Sequence, residues 1–96
     1  MKNTFDISDF VNVPTIQSTL TALTERVKTR RKELKLSQKL LAQKSGVSYA
    51  SVRRFESTGD IALVSLLKIA CVLNCLEDFN ALFGSRIITN LKDLKV

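Results

Sequence analysis

Apolar side chains recur at intervals of three, four and seven residues over most of the chain, which is the spacing of one face of an α-helix. The first such stretch predicts a long amphipathic helix from about Thr15 to Lys35. Pro14 stands just before it, where the fixed φ of proline favours helix entry. The apolar stripe of this helix consists of Ile16, Leu20, Leu23, Val27 and Leu34.

Two short helices, each preceded by a serine, are predicted next. Ser37 is expected to cap a helix over Gln38–Ser45, because its hydroxyl can accept a hydrogen bond from a backbone amide of the first turn. Gly46 is expected to end that helix in the left-handed conformation that glycine adopts at low cost. Ser48 repeats the capping signal for a helix over residues 49 to about 56, so the two helices meet at a sharp corner.

The second half of the chain predicts two further helices. After a turn over residues 57–60, a strongly apolar helix is expected from about Ala62 to Leu73. A fifth, short helix is expected over residues 76–83, with Gly84 at its end. Five helices in one stretch of this length predict an all-α bundle over residues 14–84.

The two ends of the chain lack this helical pattern. Residues 1–13 show little periodicity and are expected to form a flexible N-terminal arm. The C-terminal tail, residues 85–96, contains the strand-favouring residues Arg86–Thr89, for which the rest of the chain offers no partner strand. Three outcomes stay open for it: pairing with the same segment of a second copy, packing along the bundle as extended chain, or staying disordered.

Positive charge is concentrated in one third of the chain. The formal net charge is +6, but residues 26–54 contain ten lysines and arginines against a single acid, a local charge of +9. The remainder carries five basic and eight acidic residues, a charge of −3. Such asymmetry is typical of a surface that binds a polyanion; nucleic acid, membrane surfaces and acidic proteins all attract it.

Composition argues against several functional classes. The chain has no histidine, and its two cysteines, Cys71 and Cys75, are expected to be small core residues. We therefore predict no metal site, no cofactor and no catalytic residues, so the protein is not expected to be an enzyme. No signal-peptide pattern or membrane-length apolar run is present, which predicts a cytoplasmic protein without a membrane partner.

The segment over residues 36–56, LSQKLLAQKSGVSYASVRRFE, resembles the helix-turn-helix of the phage-repressor/Cro-like (XRE) family. The resemblance rests on the LSQ start, Ala42, the GVS turn and the closing VRRFE, and it extends over about residues 23–83. It implies a five-helix repressor-like DNA-binding bundle whose second motif helix lies in the major groove. Ala62 stands where relatives carry a capping serine, so Asp60 is expected to cap the fourth helix instead.

Candidate DNA-contacting residues follow from the motif together with helix geometry. Val52 and Phe55 must point inward, so the bases are expected to meet the opposite face, with Arg53 as the leading base-contacting residue because its guanidinium can donate twice to guanine. The predicted base-contacting set is Ser48, Tyr49, Ala50, Arg53 and Ser57. The predicted phosphate-contacting set is Lys28, Gln38, Lys39 and Arg54. The resemblance further implies that Arg31 and Glu56 form an internal ion pair that braces the motif.

These features predict a sequence-specific transcriptional regulator, a homodimeric repressor on a pseudo-palindromic double-stranded operator. Small repressors of this kind also resemble the HipB-like antitoxins of kinase-toxin operons, which bind both their operator and a toxin protein. The alternative is a protein-interaction adaptor, or a toxin-neutralising protein, that uses the same helical bundle without operator specificity. An adaptor does not require a positive groove-facing surface, whereas a repressor does.

Overall fold

The computed structural model describes residues 13–86. These residues form four α-helices and one 3₁₀ helix and contain no strand, which confirms the all-α prediction. Most of the predicted arm and tail, including residues 87–89 of the strand-favouring segment, lies outside the described residues. The helices are α1 (Ile16–Glu33), α2 (Gln38–Ser45), α3 (Tyr49–Thr58), α4 (Leu63–Val72) and the 3₁₀ helix (Leu76–Ala81).

Local capping determines where α2 and α3 begin and end. Ser37 and Ser48 each accept a hydrogen bond at 3.0 Å from the backbone amide three residues further on, as predicted. Gly46 and Gly59 end the two helices with φ of 77° and 84°, in the left-handed region that side chains other than glycine enter at a cost. Thr15 supplies an additional cap, since it exchanges hydrogen bonds with Ser18 at the start of α1.

The core lies between α2, α3 and α4. Its largest fully buried side chains are Leu41 from α2, Val52 and Phe55 from α3, and Ile69 from α4. The α2 helix packs against both α3 and α4, while α1 packs on α3 and the 3₁₀ helix packs on α4. Burying a side chain of this size stabilises the folded state by about 1.5–3 kcal/mol. Helices as short as α2 and α3 are not stable in isolation, so packing in the core is what stabilises them.

The N-terminal part of α1 does not bury its predicted apolar stripe. Ile16 is 84% exposed, and Leu34 lies beyond the helix end and is also exposed, so both were wrongly predicted to face the core. The reason is length, because 18 residues of α-helix span about 27 Å, whereas the 10 residues of α3 span about 15 Å. The N-terminal end of α1 therefore extends past α3, because Leu20, one turn after Ile16, already lies against Gly59 at the end of α3.

The fourth helix begins differently from the prediction. Ala62 occupies the N-cap position without any side-chain hydrogen bond, and Asp60 instead forms an ion pair with Arg54. The expectation that Asp60 caps this helix is therefore wrong. Leu63, in the first turn of α4, is exposed. The third helix also runs two residues further than expected, to Thr58, so the predicted turn is shorter.

The last helical segment is a 3₁₀ helix rather than an α-helix. Asn74, at φ 60°, ends the preceding helix, and the amide of Asp78 then donates to the Cys75 carbonyl, which is a hydrogen bond over three residues. The 3₁₀ helix contains no buried residue, and Phe83 beyond it is fully exposed. Cys71 is exposed as well, so its assignment to the core is wrong, while Cys75 is half-buried against the core.

Candidate nucleic-acid interface

The helices α2 and α3 form a corner that presents α3 on the surface. Three residues separate them, and the buried Val47 anchors this turn in the core. On α3 the side chains of Val52, Phe55 and Glu56 point inward. The exposed face of the same helix carries Tyr49, Ala50, Arg53, Arg54 and Ser57. The helix is therefore divided into an anchoring face and a free face, as DNA recognition by a helix in the major groove requires.

A buried ion pair fixes α3 against α1. The Arg31 guanidinium donates to both carboxylate oxygens of Glu56, at 2.7 and 3.0 Å, and the two residues are only 8% and 5% exposed. The third guanidinium nitrogen is also engaged, because Arg31 Nη1 donates to the Leu36 carbonyl at 2.8 Å. Two parallel N–H···O bonds restrict the relative orientation of the partners, so this pair determines how α3 is held.

Gln38 extends this network to the first turn of α2. Its Nε2 donates to Glu56 Oε1 at 2.9 Å, so the carboxylate accepts three hydrogen bonds from two different helices. Gln38 is half-exposed, and its side-chain oxygen is not needed for this contact. The residue therefore braces α3 and still borders the surface on which a phosphate contact was predicted.

Two cations lie against the ring of Tyr49, the first residue of α3. The guanidinium carbon of Arg53 is 5.5 Å from the ring centroid, and Lys39 Nζ is 5.8 Å from it. Both distances are within the range of cation–π attraction. Tyr49 thus connects the beginning of α2 to the exposed face of α3. The i,i+4 spacing of Tyr49 and Arg53 is a sequence signal for the contact between these two residues, whereas the contact with Lys39 has no such signal.

Two other cations of the interface are paired with carboxylates. Arg54 Nη2 lies 2.8 Å from Asp60 Oδ2, and Lys28 Nζ lies 3.1 Å from Glu25 Oε2. The Arg54–Asp60 pair is solvent-exposed and the Lys28–Glu25 pair is partly exposed, so each ion pair contributes little to stability. The sequence analysis missed both carboxylate partners. A phosphate that approaches Arg54 must therefore compete with Asp60.

An open concavity brings most of the predicted phosphate- and base-contacting residues together. It lies between α1, the start of α2 and the exposed face of α3. Lys39, Ser48 and Tyr49 are not part of its lining: Lys39 lies in the first turn of α2, and Ser48 and Tyr49 lie at the start of α3. The lining residues are Lys28, Arg31, Gln38, Ala50, Arg53, Arg54, Glu56 and Ser57.

The two serine hydroxyls of the predicted base-contacting set are engaged within α3. Ser48 accepts from the backbone amide of Ser51 and donates to the hydroxyl of Ser51 at 2.9 Å. Ser57 donates to the carbonyl of Arg54 at 3.2 Å. Both hydroxyls keep acceptor capacity, but a donation to a base edge requires that an existing hydrogen bond be broken.

Arg30, one of the ten basic residues within residues 26–54, contacts the C-terminal part of the fold. Arg30 Nε donates to Cys75 Sγ at 3.1 Å, and this contact with the sulfur raises the pKa of the guanidinium. Arg30 does not line the concavity. The charge excess of the sequence is therefore spread over more than one surface.

The described part of the chain contains neither a candidate metal site nor a membrane-spanning helix. No group of three or more Cys, Asp or Glu side chains within residues 13–86 is arranged to hold a metal ion. No helix among these residues is both long and apolar enough to cross a membrane.

Comparison with protein families gives a match that covers the same helices. Residues 27–79, more than half of the chain, match the helix-turn-helix family. The matched range begins in α1, contains α2, α3 and α4, and ends within the 3₁₀ helix. No curated protein and no solved structure matches the chain.

Proposed function

Because the chain belongs to the XRE-type helix-turn-helix family and is a DNA-binding transcription regulator, we propose that it is a dimeric repressor of a pseudo-palindromic operator. The observation that carries this proposal is the free face of α3. That face presents Arg53 and Ala50 to solvent while the opposite face is locked in the core. Arg53 can donate two hydrogen bonds to guanine, and the methyl of Ala50 suits a thymine methyl.

The cations around this face support a docking geometry on the phosphate backbone. We propose that Lys28 and Arg54, on two sides of the concavity, contact phosphates beside the groove. Gln38 and Lys39, in the first turn of α2, are proposed to contact a further phosphate, aided by the positive end of that helix. These contacts supply affinity and register, whereas the residues of α3 supply sequence discrimination.

Exposed apolar residues near the end of the described part of the chain support a contact surface for a second copy of the protein. Leu76, Leu82 and Phe83 are all exposed, although side chains of this kind are usually buried. We propose that they contribute to the contact between two protomers. The two copies of α3 then enter successive major grooves, about one helical turn apart on the operator. A toxin protein, as in antitoxin operons, is the second candidate for this surface.

Binding of the purified protein to its own promoter region tests the proposal. Scrambled DNA of equal length is the control, and two salt concentrations separate sequence discrimination from charge neutralisation. We expect footprint protection of a symmetric site, with a preference over scrambled DNA of at least about a thousandfold. Sequence-blind binding that disappears as salt rises would exclude a repressor and favour the adaptor function, which a pull-down with the same protein would then test.

A further inference from the structure

The ring of Tyr49 lies near cationic side chains from two different helices. Lys39 comes from the first turn of α2 and Arg53 from the second turn of α3, and both cationic groups lie within 6 Å of the ring centroid. Tyr49 itself is 40% exposed, so the ring is accessible from solvent. Within residues 13–86 neither Lys39 nor Arg53 forms an ion pair, unlike Arg54. The aromatic ring is thus the shared partner of the two cations.

Contact with a ring leaves the hydrogen-bonding edge of a guanidinium free. A cation–π contact is an attraction between the charge and the ring and needs no hydrogen bond from the N–H groups, whereas bidentate donation to guanine O6 and N7 uses two of those N–H groups. A carboxylate partner takes up N–H donors, as Asp60 does at Nη2 of Arg54. Tyr49 can therefore restrict the motion of Arg53 without competing with a base for its donors.

The ring also attracts both cations at once. The negative face of an aromatic ring stabilises a nearby positive charge, and Lys39 and Arg53 both lie within reach of this attraction. Arg and Lys side chains otherwise lose considerable rotamer entropy when DNA fixes them in one position. An arrangement that already limits their motion in the free protein lowers this cost at the moment of binding.

We propose that Tyr49 is a positioning residue for DNA recognition, whose ring orders Arg53 for base contact and Lys39 for phosphate contact. This inference rests on the proposed operator-binding function, but it assigns Tyr49 a role that does not require its own contact with a base. Its effect on sequence discrimination passes through Arg53, and its effect on overall affinity passes through Lys39.

The first test uses the free protein. We compare the wild type with Tyr49→Leu, which removes the ring, and with Tyr49→Phe, which keeps the ring and removes only the hydroxyl. The side-chain NMR resonances of Arg53 are expected to carry ring-current shifts in the wild type and in Tyr49→Phe, and to lose them in Tyr49→Leu. Shifts that are equal in all three proteins would overturn the proposal, because the ring would then not hold Arg53 in solution.

The second test measures discrimination between the operator and a site with the Arg53-contacted base pair replaced. We expect Tyr49→Leu to reduce this discrimination about two- to fivefold, whereas Tyr49→Phe retains it. In an Arg53→Ala background, Tyr49→Leu should cause no further loss of discrimination. A further loss there would show that Tyr49 contacts the base directly and would overturn the proposal.

The two tests also separate this inference from the proposed function. A wild type that binds the operator specifically, with unchanged discrimination in Tyr49→Leu, refutes the positioning role and leaves the repressor function intact. A wild type that shows ring-current shifts on Arg53 but binds DNA without sequence preference refutes operator recognition itself, and with it any role of Tyr49 in recognition.

Discussion

Replacing Arg31 by methionine tests the ion pair that joins α1 to α3. In the folded protein Glu56 accepts two hydrogen bonds from Arg31 and one from Gln38. The substitution leaves a carboxylate that is almost fully buried with only the hydrogen bond from Gln38. The Leu36 carbonyl also loses its donor on Arg31. Methionine fills a similar length of space, so the main loss is the charge and its hydrogen bonds.

The expected magnitude follows from the burial of the pair. Breaking a buried ion pair from one side costs about 3–5 kcal/mol, because the remaining charge has no adequate partner. Domains of this size have a total stability of about 5–15 kcal/mol, and 1 kcal/mol shifts Tm by about 4–8 °C. We therefore expect Arg31→Met to lower Tm by at least about 12 °C.

An exposed ion pair in the same protein provides the matched control. Arg54 and Asp60 lie 2.8 Å apart, nearly the 2.7 Å of the buried pair, but their side chains are 68% and 63% exposed. Arg54→Met is therefore expected to cost about 0–1 kcal/mol. Thermal and urea unfolding followed by circular dichroism measures both variants. Equal losses of unfolding free energy in the two variants would refute the reasoning. The double variant Arg31→Met with Glu56→Met should recover part of the stability lost in Arg31→Met, because it leaves no buried charge.

Three further predictions concern DNA binding and assembly. Arg53→Ala should lose about 1–3 kcal/mol of discrimination at one base pair per half-site, whereas Lys39→Ala should weaken all sequences alike in a competition assay. Asp60→Asn should free Arg54 for phosphate and tighten binding to every sequence at low salt; unchanged or weaker binding contradicts this competition. Phe83→Asp should convert a dimer into a monomer in light scattering, and an unchanged mass would place the dimer contact elsewhere.

Features set by short-range contacts could be predicted from the sequence. The boundaries of α2, its serine cap and its terminal glycine depend on residues within one turn of each other, and all were predicted correctly. The start of α3 at Ser48 has the same local origin. The buried face of α3 was predicted from helical spacing, because Val52 and Phe55 are three residues apart and therefore lie on the same face. The motif was therefore accessible from sequence alone.

Features set by the length and placement of neighbouring helices could not be predicted in this way. The exposure of Ile16 depends on where α3 stops, and the exposure of Cys71 depends on which face of α4 the other helices cover. Asp60 pairs with Arg54 across the end of α3, and sequence spacing gives no signal for a contact over a helix terminus. The pattern of apolar residues indicates that a helix buries one face, but not how much of its length is covered.

The cations of the interface differ in what holds them, and this difference predicts a division of roles. Arg54 is held by the carboxylate of Asp60, so a phosphate gains contact with it only by displacing another anion, and the net gain is small. Arg53 lies against an aromatic ring, a contact that needs none of its N–H donors, so these stay available to a base edge. We therefore expect Arg54→Ala to weaken binding slightly and equally for all sequences, and Arg53→Ala to reduce discrimination between sequences. On this reasoning we expect ion pairs with carboxylates to moderate affinity and the aromatic contact to preserve specificity.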